Sequence, residues 1–207
     1  MSNATDYRKE LNVSRETFER LEMLAALLKK WNPRINLVSK STLDDLWQRH
    51  IVDSVQVFFA ADREFAHWVD IGSGGGFPGL IIAILAQEKN PDAKVTMIES
   101  DQRKCAFLRT VLRETGTPGD VIAKRIEAAE PQDADILSAR ALADLSTLFG
   151  FAERHLSKGG LGLFPKGVTW EKELKAAHES WSFQAEVIKS ETESGAVILK
   201  VEGLSRV

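Results

Sequence analysis

The sequence predicts an α/β fold: seven strands in a mostly parallel sheet, helices on both faces, a terminal antiparallel hairpin and an N-terminal helical extension. Three features carry this prediction. The apolar run Trp68–Ile71 breaks into four closely spaced glycines, Gly72, Gly74, Gly75 and Gly76, then resumes as an apolar helix through Leu85. Beyond it, strand-like and helical runs alternate, the order that parallel strands and their crossover helices require. The last two strand-like runs, Gln184–Lys189 and Ala196–Glu202, are joined by a short Ser194-Gly195 turn with no room for a helix.

At 207 residues the chain has the length of one large domain, expected as a helical extension over 1–63 packed on a core over 64–207. Its 43% hydrophobic and 28% charged residues are ordinary for a soluble protein. The longest apolar run, Phe77 to Ala86, is about half a membrane span, and no secretory signal opens the chain. A single cysteine, Cys105, excludes an internal disulfide and any cysteine-based zinc cluster; no metal site is expected, and a reducing cytoplasm is. The formal charge of −3 argues against sequence-blind coating of nucleic acid but leaves room for a local basic surface.

Residues 1–13 read as weakly ordered. From Ser14, Phe18, Leu21, Leu24, Leu28 and Trp31 recur at steps of three and four, giving a helix that Asn32-Pro33 is expected to stop. After Thr42, Leu43, Leu46, Trp47, His50, Ile51, Ser54, Val55 and Phe58 continue the stepping as a second helix. Two polar residues, His50 and Ser54, interrupt its stripe. A histidine there is either a hydrogen-bonded core residue or a functional group, and the pattern alone favours the core. Arg49 and Asp53, four apart, read as an ion pair on the helix surface.

The glycine turn brings backbone amides toward a ligand, because glycine accepts positive φ and has no Cβ to block the approach. Pro78 suits the first turn of the following helix. A ligand-free surface turn is the plainer alternative, and the strand and helix in register on either side argue against it. Lys94–Glu99 reads as the second strand, with Glu99 at the strand end where an acid can accept from ribose hydroxyls. The next helix, Gln102 to Thr115, turns Cys105, Leu108, Val111 and Leu112 inward and Arg103, Lys104, Arg109 and Arg113 outward. Cys105 reads as a small core residue. Further strands are expected at Asp120–Ala123, Asp135–Ala139 and Leu161–Phe164, and helices near Asp144–His155 and Thr169–Trp181.

This architecture is similar to that of the Rossmann-like class I S-adenosylmethionine methyltransferases, whose sheet closes with a reversed strand. A dinucleotide dehydrogenase would continue the parallel winding into a substrate domain. The chain lacks the Asn/Asp-Pro-Pro-aromatic turn that resembles amino-directed base methylation, having Leu137-Ser138-Ala139-Arg140-Ala141 instead, and Cys105 is misplaced for carbon-directed attack. Acceptors that already own a lone pair remain, guanine's N7 among them, and these need no base.

Arg49-His50-Ile51-Val52-Asp53-Ser54, Asp70-Ile71-Gly72-Ser73-Gly74-Gly75-Gly76-Phe77-Pro78-Gly79, Glu99-Ser100 with Lys104 and Phe107-Leu108-Arg109, Ser138-Ala139-Arg140-Ala141 and Pro165-Lys166-Gly167 together resemble the RsmG (GidB) family. These are the bacterial 16S, or small-subunit, ribosomal RNA guanine-N(7) methyltransferases. The resemblance covers nearly the whole chain and implies S-adenosylmethionine as cofactor and 16S ribosomal RNA or the small subunit as partner; a monomer is expected, although the sequence does not fix the oligomeric state. It implies cofactor contacts at Gly72, Gly74, Gly76, Phe77, Glu99, Ile126 and Glu127, and Arg140 at the junction of cofactor and acceptor. It also turns His50 into a candidate catalytic residue beside Arg140. Asp53 and Ser54 would face the pocket, and Arg49, Arg103, Lys104, Arg109 and Lys166 become candidate RNA contacts. Two departures stand out: Glu99 replaces the family's frequent Asp, and Ala141-Leu142 its frequent Ala-Phe. A small-molecule methyltransferase on the same sheet, favoured by the acidic net charge, and a non-catalytic cofactor-binding assembly factor are the rival readings.

Overall fold

The computed structural model describes residues 7–8 and 11–207. Residues 1–6 and 9–10, within the stretch read as weakly ordered, lie outside the described residues.

Helix α1, Arg15–Ile35, starts where Ser14 accepts from Thr17 N. It runs through Pro33 instead of stopping there, and ends at Asn36 in the left-handed region, φ 47°. Proline removes one backbone donor, and the buried Asn32 holds the turn by exchanging two hydrogen bonds with Val38, at 2.9 and 3.1 Å. A 3₁₀ turn at Lys40–Thr42 precedes the expected second helix, which is two joined pieces: a wide π-helical turn at Trp47–Val52 and a regular helix α2 at Asp53–Ala60. The wide turn buries His50, Ile51 and Val52 in succession, which a 3.6-residue period would not do.

The core follows as β1 His67–Ile71, α3 Gly79–Lys89, β2 Lys94–Ile98, α4 Gln102–Thr115, β3 Asp120–Ile122, β4 Ala134–Ser138, α5 Leu145–His155, β5 Leu156–Lys166, α6 Trp170–Ala177, β6 Trp181–Lys189 and β7 Val197–Arg206. One seven-stranded sheet has the order β3-β2-β1-β4-β5-β7-β6, with β7 antiparallel to both β5 and β6. The expected hairpin is there, longer than its apolar runs suggest. Trp181, expected to end a helix, instead opens β6, because its ring is buried edge-on against Phe149 at 5.9 Å.

Alternation along β1 builds two cores. Trp68 faces a layer with Leu21, Leu24 and Leu28 of α1 and Leu80, Ile81 and Ile84 of α3, while Val69 and Ile71 face Leu148 and Phe149 of α5. The N-terminal helices thus share one apolar cluster with the sheet. Between β1 and β4 the strand order reverses, and there the crevice at the strands' C-terminal ends opens. Asp70 and Ser138 face each other across it.

Candidate active site

The glycine turn is clamped from below. Gly72 N and Ser73 N donate to Ile98 O at 2.8 and 3.2 Å, tying the turn to the end of β2. Fully buried Asp70 accepts from Ser138 Oγ at 2.7 Å and Gly79 N at 3.2 Å, and Trp68 Nε1 donates to Ser138 Oγ at 3.0 Å. Burial pushes the Asp70 carboxyl up to about 6, against the pull of these hydrogen bonds.

Above the turn lies a cavity of about 480 Å³, bordered by Gly72, Gly74, Phe77, Glu99, Lys104, Ile126, Glu127, Arg140 and Leu142 among others. Glu99 is held from two sides: Oε2 accepts from Gly74 N and Oε1 from Asp101 N, each at 2.8 Å. The longer side chain does not reach farther out; it curls back, so that one carboxylate organises both the glycine turn and the start of α4. Gly72 and Gly74 have φ of +64° and +55°, and a Cβ on Gly72 would sit 2.6 Å from Leu142 Cδ1 at the cavity wall. Leu142 thus stands at the wall where the family often has an aromatic ring.

Arg140 borders this cavity and a second one, of about 400 Å³, that also meets Thr42, Arg49, His50, Asp53, Lys166 and Glu173. Its guanidinium is fixed by three contacts: Nη1 donates to Arg49 O at 3.2 Å and to Asp53 Oδ2 at 2.9 Å, and Nη2 meets His50 Nδ1 at 2.6 Å. It also lies 5.4 Å from the Phe77 ring centroid, and the His50 ring packs on the same phenyl at 5.0 Å. His50 Nε2 is 2.8 Å from Thr42 Oγ1. Burial, then the positive charges of Arg140 and Arg49, bring the His50 imidazole down to about 4. His50 is neutral at pH 7 with both nitrogens engaged, an arrangement for holding Arg140 and not for accepting a proton.

Several sequence-predicted residues sit elsewhere. Gly76 does not border either cavity; its φ of +90° and the nearness of Leu80 and Leu108 make it a packing glycine. Ser54 is buried and its Oγ has no partner among the described residues, so it does not face the pocket. Arg103 pairs with Asp101 at the surface and Arg109 donates to Val121 O at 3.0 Å, both away from the cavities. Lys166 reaches the second cavity but donates to Glu173 Oε2 at 2.7 Å and Ala143 O at 2.8 Å. Arg49 lies 3.4 Å from Glu193. The sequence reading missed Glu173 and Thr42 as site residues. Glu173 lies seven residues from Lys166, and that spacing crosses a strand end and a helix start, which no single period reports. Cys105 is buried, its thiol donating to Glu99 O at 3.2 Å and pushed up by burial.

The glycine turn, the strand-end carboxylate and the apolar wall at Ile126 fit the methionine, ribose and adenine parts of S-adenosylmethionine. Comparison with known proteins agrees. A crystal structure of a methyltransferase from Geobacter sulfurreducens superposes with a TM-score of 0.60 at 14% identity, over 98% of this chain and 97% of that one. The cofactor-bound Rv0187 from MTB superposes with a TM-score of 0.63 at 16% identity, over 89% and 88%. At such identities the likeness shows the fold, that of the class I S-adenosylmethionine methyltransferases. Two sequence relatives are each described as ribosomal RNA small subunit methyltransferase G. One, from Ruegeria sp. (strain TM1040), is 59% identical over 96% of both chains. The other, from Rhodospirillum centenum, is 50% identical over 98% of this chain and 91% of the relative. The GidB family profile, rRNA small subunit methyltransferase G, matches residues 17–198. The chain therefore belongs to the GidB family of S-adenosylmethionine-dependent ribosomal RNA small subunit methyltransferases.

Proposed function

We propose that the protein methylates the ring N7 of one guanine in 16S ribosomal RNA, with the cofactor in the first cavity and the acceptor base entering through the second. The observation that carries this reading is the closed set of contacts at the junction. Arg140 bonds to both Asp53 and His50, and Thr42 engages the other imidazole nitrogen, leaving no free imidazole to remove a proton. A ring nitrogen with a lone pair needs none; an exocyclic amine or a hydroxyl has a proton to lose.

When bound, S-adenosylmethionine supplies an electrophilic methyl group on a sulfonium. The chain's residues hold and align. Gly72 and Gly74 offer open backbone, Glu99 an acceptor for ribose hydroxyls, and Ile126 and Glu127 the wall for the adenine. Arg140 stands between the cavities with its charge balanced by Asp53, so positive charge developing on a purine there meets a neutralised pair. Catalysis rests on proximity, orientation and exclusion of water. Arg49 and Lys104 border the two cavities and suit RNA phosphates despite the net charge of −3, while Arg103 and Arg109 extend the basic surface along α4; Lys166, paired with Glu173, would have to give up that partner to join them.

The test is incubation with labelled S-adenosylmethionine and small ribosomal subunits from a strain lacking this activity, followed by mass-spectrometric mapping. A single 7-methylguanosine in 16S RNA is the expected product. Binding of the cofactor without transfer to RNA would refute the reading and favour a small-molecule acceptor or a non-catalytic assembly role.

A further inference from the structure

The tip of the terminal hairpin, residues 190–196, folds back onto α2, which lies more than a hundred residues earlier in the chain. Thr192 Oγ1 donates to Asp53 Oδ1 at 2.8 Å, across 139 positions of sequence. The same oxygen lies 3.4 Å from Gln56 Nε2 and 2.9 Å from Ser190 Oγ, and Glu191 N donates to Gln56 Oε1 at 2.8 Å. The other Asp53 oxygen, Oδ2, holds Arg140 Nη1 at 2.9 Å. One carboxylate therefore bridges the hairpin tip and the guanidinium. The side chains of Arg140 and Asp53 are only 17% and 22% exposed, so the loss of an orienting partner is poorly compensated by water. Ser190 and Glu193 of the same tip border the second cavity, and Arg140 borders both.

We propose that Thr192 is a positioning residue for methyl transfer: its hydroxyl orients the Asp53 carboxylate, which fixes the Arg140 guanidinium at the boundary between the cavities. A nucleotide seated in the second cavity against the tip then also sets the residue that faces the cofactor. The inference rests on the functional reading above. Gln56 and Glu191 already pin the tip to α2, so a hydroxyl needed only for docking would be redundant; the bond to Asp53 is the one that continues to the site.

The test compares full-length Thr192→Val, which keeps the β-branched shape and loses the hydroxyl, with Thr192→Ser, which keeps the hydroxyl. The readouts are turnover on small ribosomal subunits at saturating S-adenosylmethionine, cofactor affinity by calorimetry, and titration of the His50 Cε1 proton by NMR. The charged groups around that imidazole are Arg140 and Arg49, with Thr42 on its other nitrogen and Phe77 against its face. Thr192→Val is expected to lower kcat about tenfold, the size of one lost charge-assisted hydrogen bond, with cofactor affinity unchanged. It should also raise the His50 titration from near pH 4 as the guanidinium moves off, and Thr192→Ser should restore both. In an Arg140→Ala background the valine should cost nothing further. An unmoved His50 titration in Thr192→Val overturns the coupling whether or not methyl transfer is detected. Wild-type protein that transfers no methyl group, while the titration shifts as expected, overturns the functional reading and leaves the coupling standing.

Discussion

Nη2 of Arg140 lies 2.6 Å from Nδ1 of His50, and this contact settles the tautomer of the imidazole. A guanidinium has donors only, so Nδ1 must accept, and the ring proton sits on Nε2 and points to Thr42 Oγ1 at 2.8 Å. His50 thus holds Arg140 in its neutral form, and protonating it would set two cations against each other.

Stability should depend on pH with opposite signs at two buried groups. The folded His50 refuses, down to about pH 4, a proton that the unfolded chain takes up at 6.5, so its contribution is intact above 6.5 and is lost as pH falls to 4. Folded Asp70 keeps its proton up to about pH 6, whereas the unfolded carboxyl releases it near 3.8, so this group costs stability as pH rises through that window. Relative to wild type, His50→Gln should gain stability as pH falls from 6.5 to 4, and Asp70→Asn as pH rises from 4 to 6. Urea denaturation at half-unit intervals would read this; offsets that do not change with pH in both variants would refute it.

Two glycines of one turn should fail differently. Gly76→Ala places a Cβ 2.2 Å from buried Leu80 Cδ1 at positive φ, and should cost about 2–4 kcal/mol from overpacking and left-handed strain. Gly72→Asp meets Leu142, an exposed side chain able to move, and should leave a folded protein that no longer binds cofactor. Calorimetric titration and denaturation measured together separate the two; equal destabilisation would count against the assignment.

Glu99→Gln replaces one carboxylate oxygen by a donor that must face either Gly74 N or Asp101 N. The clash of donors should loosen the glycine turn, weaken cofactor binding by about tenfold and cost about 1–2 kcal/mol of stability. Unchanged affinity by calorimetry would remove Glu99 from the cofactor site.

Arg140→Ala should spare much of the cofactor affinity while lowering turnover, because the guanidinium stands between the cavities and the glycine turn is held independently by Ile98 and Asp70. If its cofactor affinity falls as far as that of Gly72→Asp, Arg140 belongs to the cofactor site alone.

The sheet and the cofactor turn were legible because their signals are local. Alternating runs marked the strands, and the spacing of Glu99 from the glycines placed it at a strand end. Features set by tertiary contact were not. Pro33 stays in a helix because Asn32 and Val38 clasp the chain beyond it, and Ser54 stays buried on the apolar stripe where the stepping puts it, not at the pocket the resemblance implies. Gly76 shares the turn's composition with Gly72 and Gly74, and only the approach of Leu80 and Leu108 tells it apart. The bond between Thr192 and Asp53 left no trace in either segment, since a contact across 139 positions has no local pattern to report it.

The over-wide turn at Trp47–Val52 makes segment length a determinant of its own. Deleting one residue there would let the backbone close into an ordinary helix and swing everything on its N-terminal side by about 100° about the axis. His50 would leave Phe77 and Arg140 together, in one event. Substitutions in this stretch can be graded, whereas insertions and deletions are all-or-none, so natural variation here should change letters and keep the count.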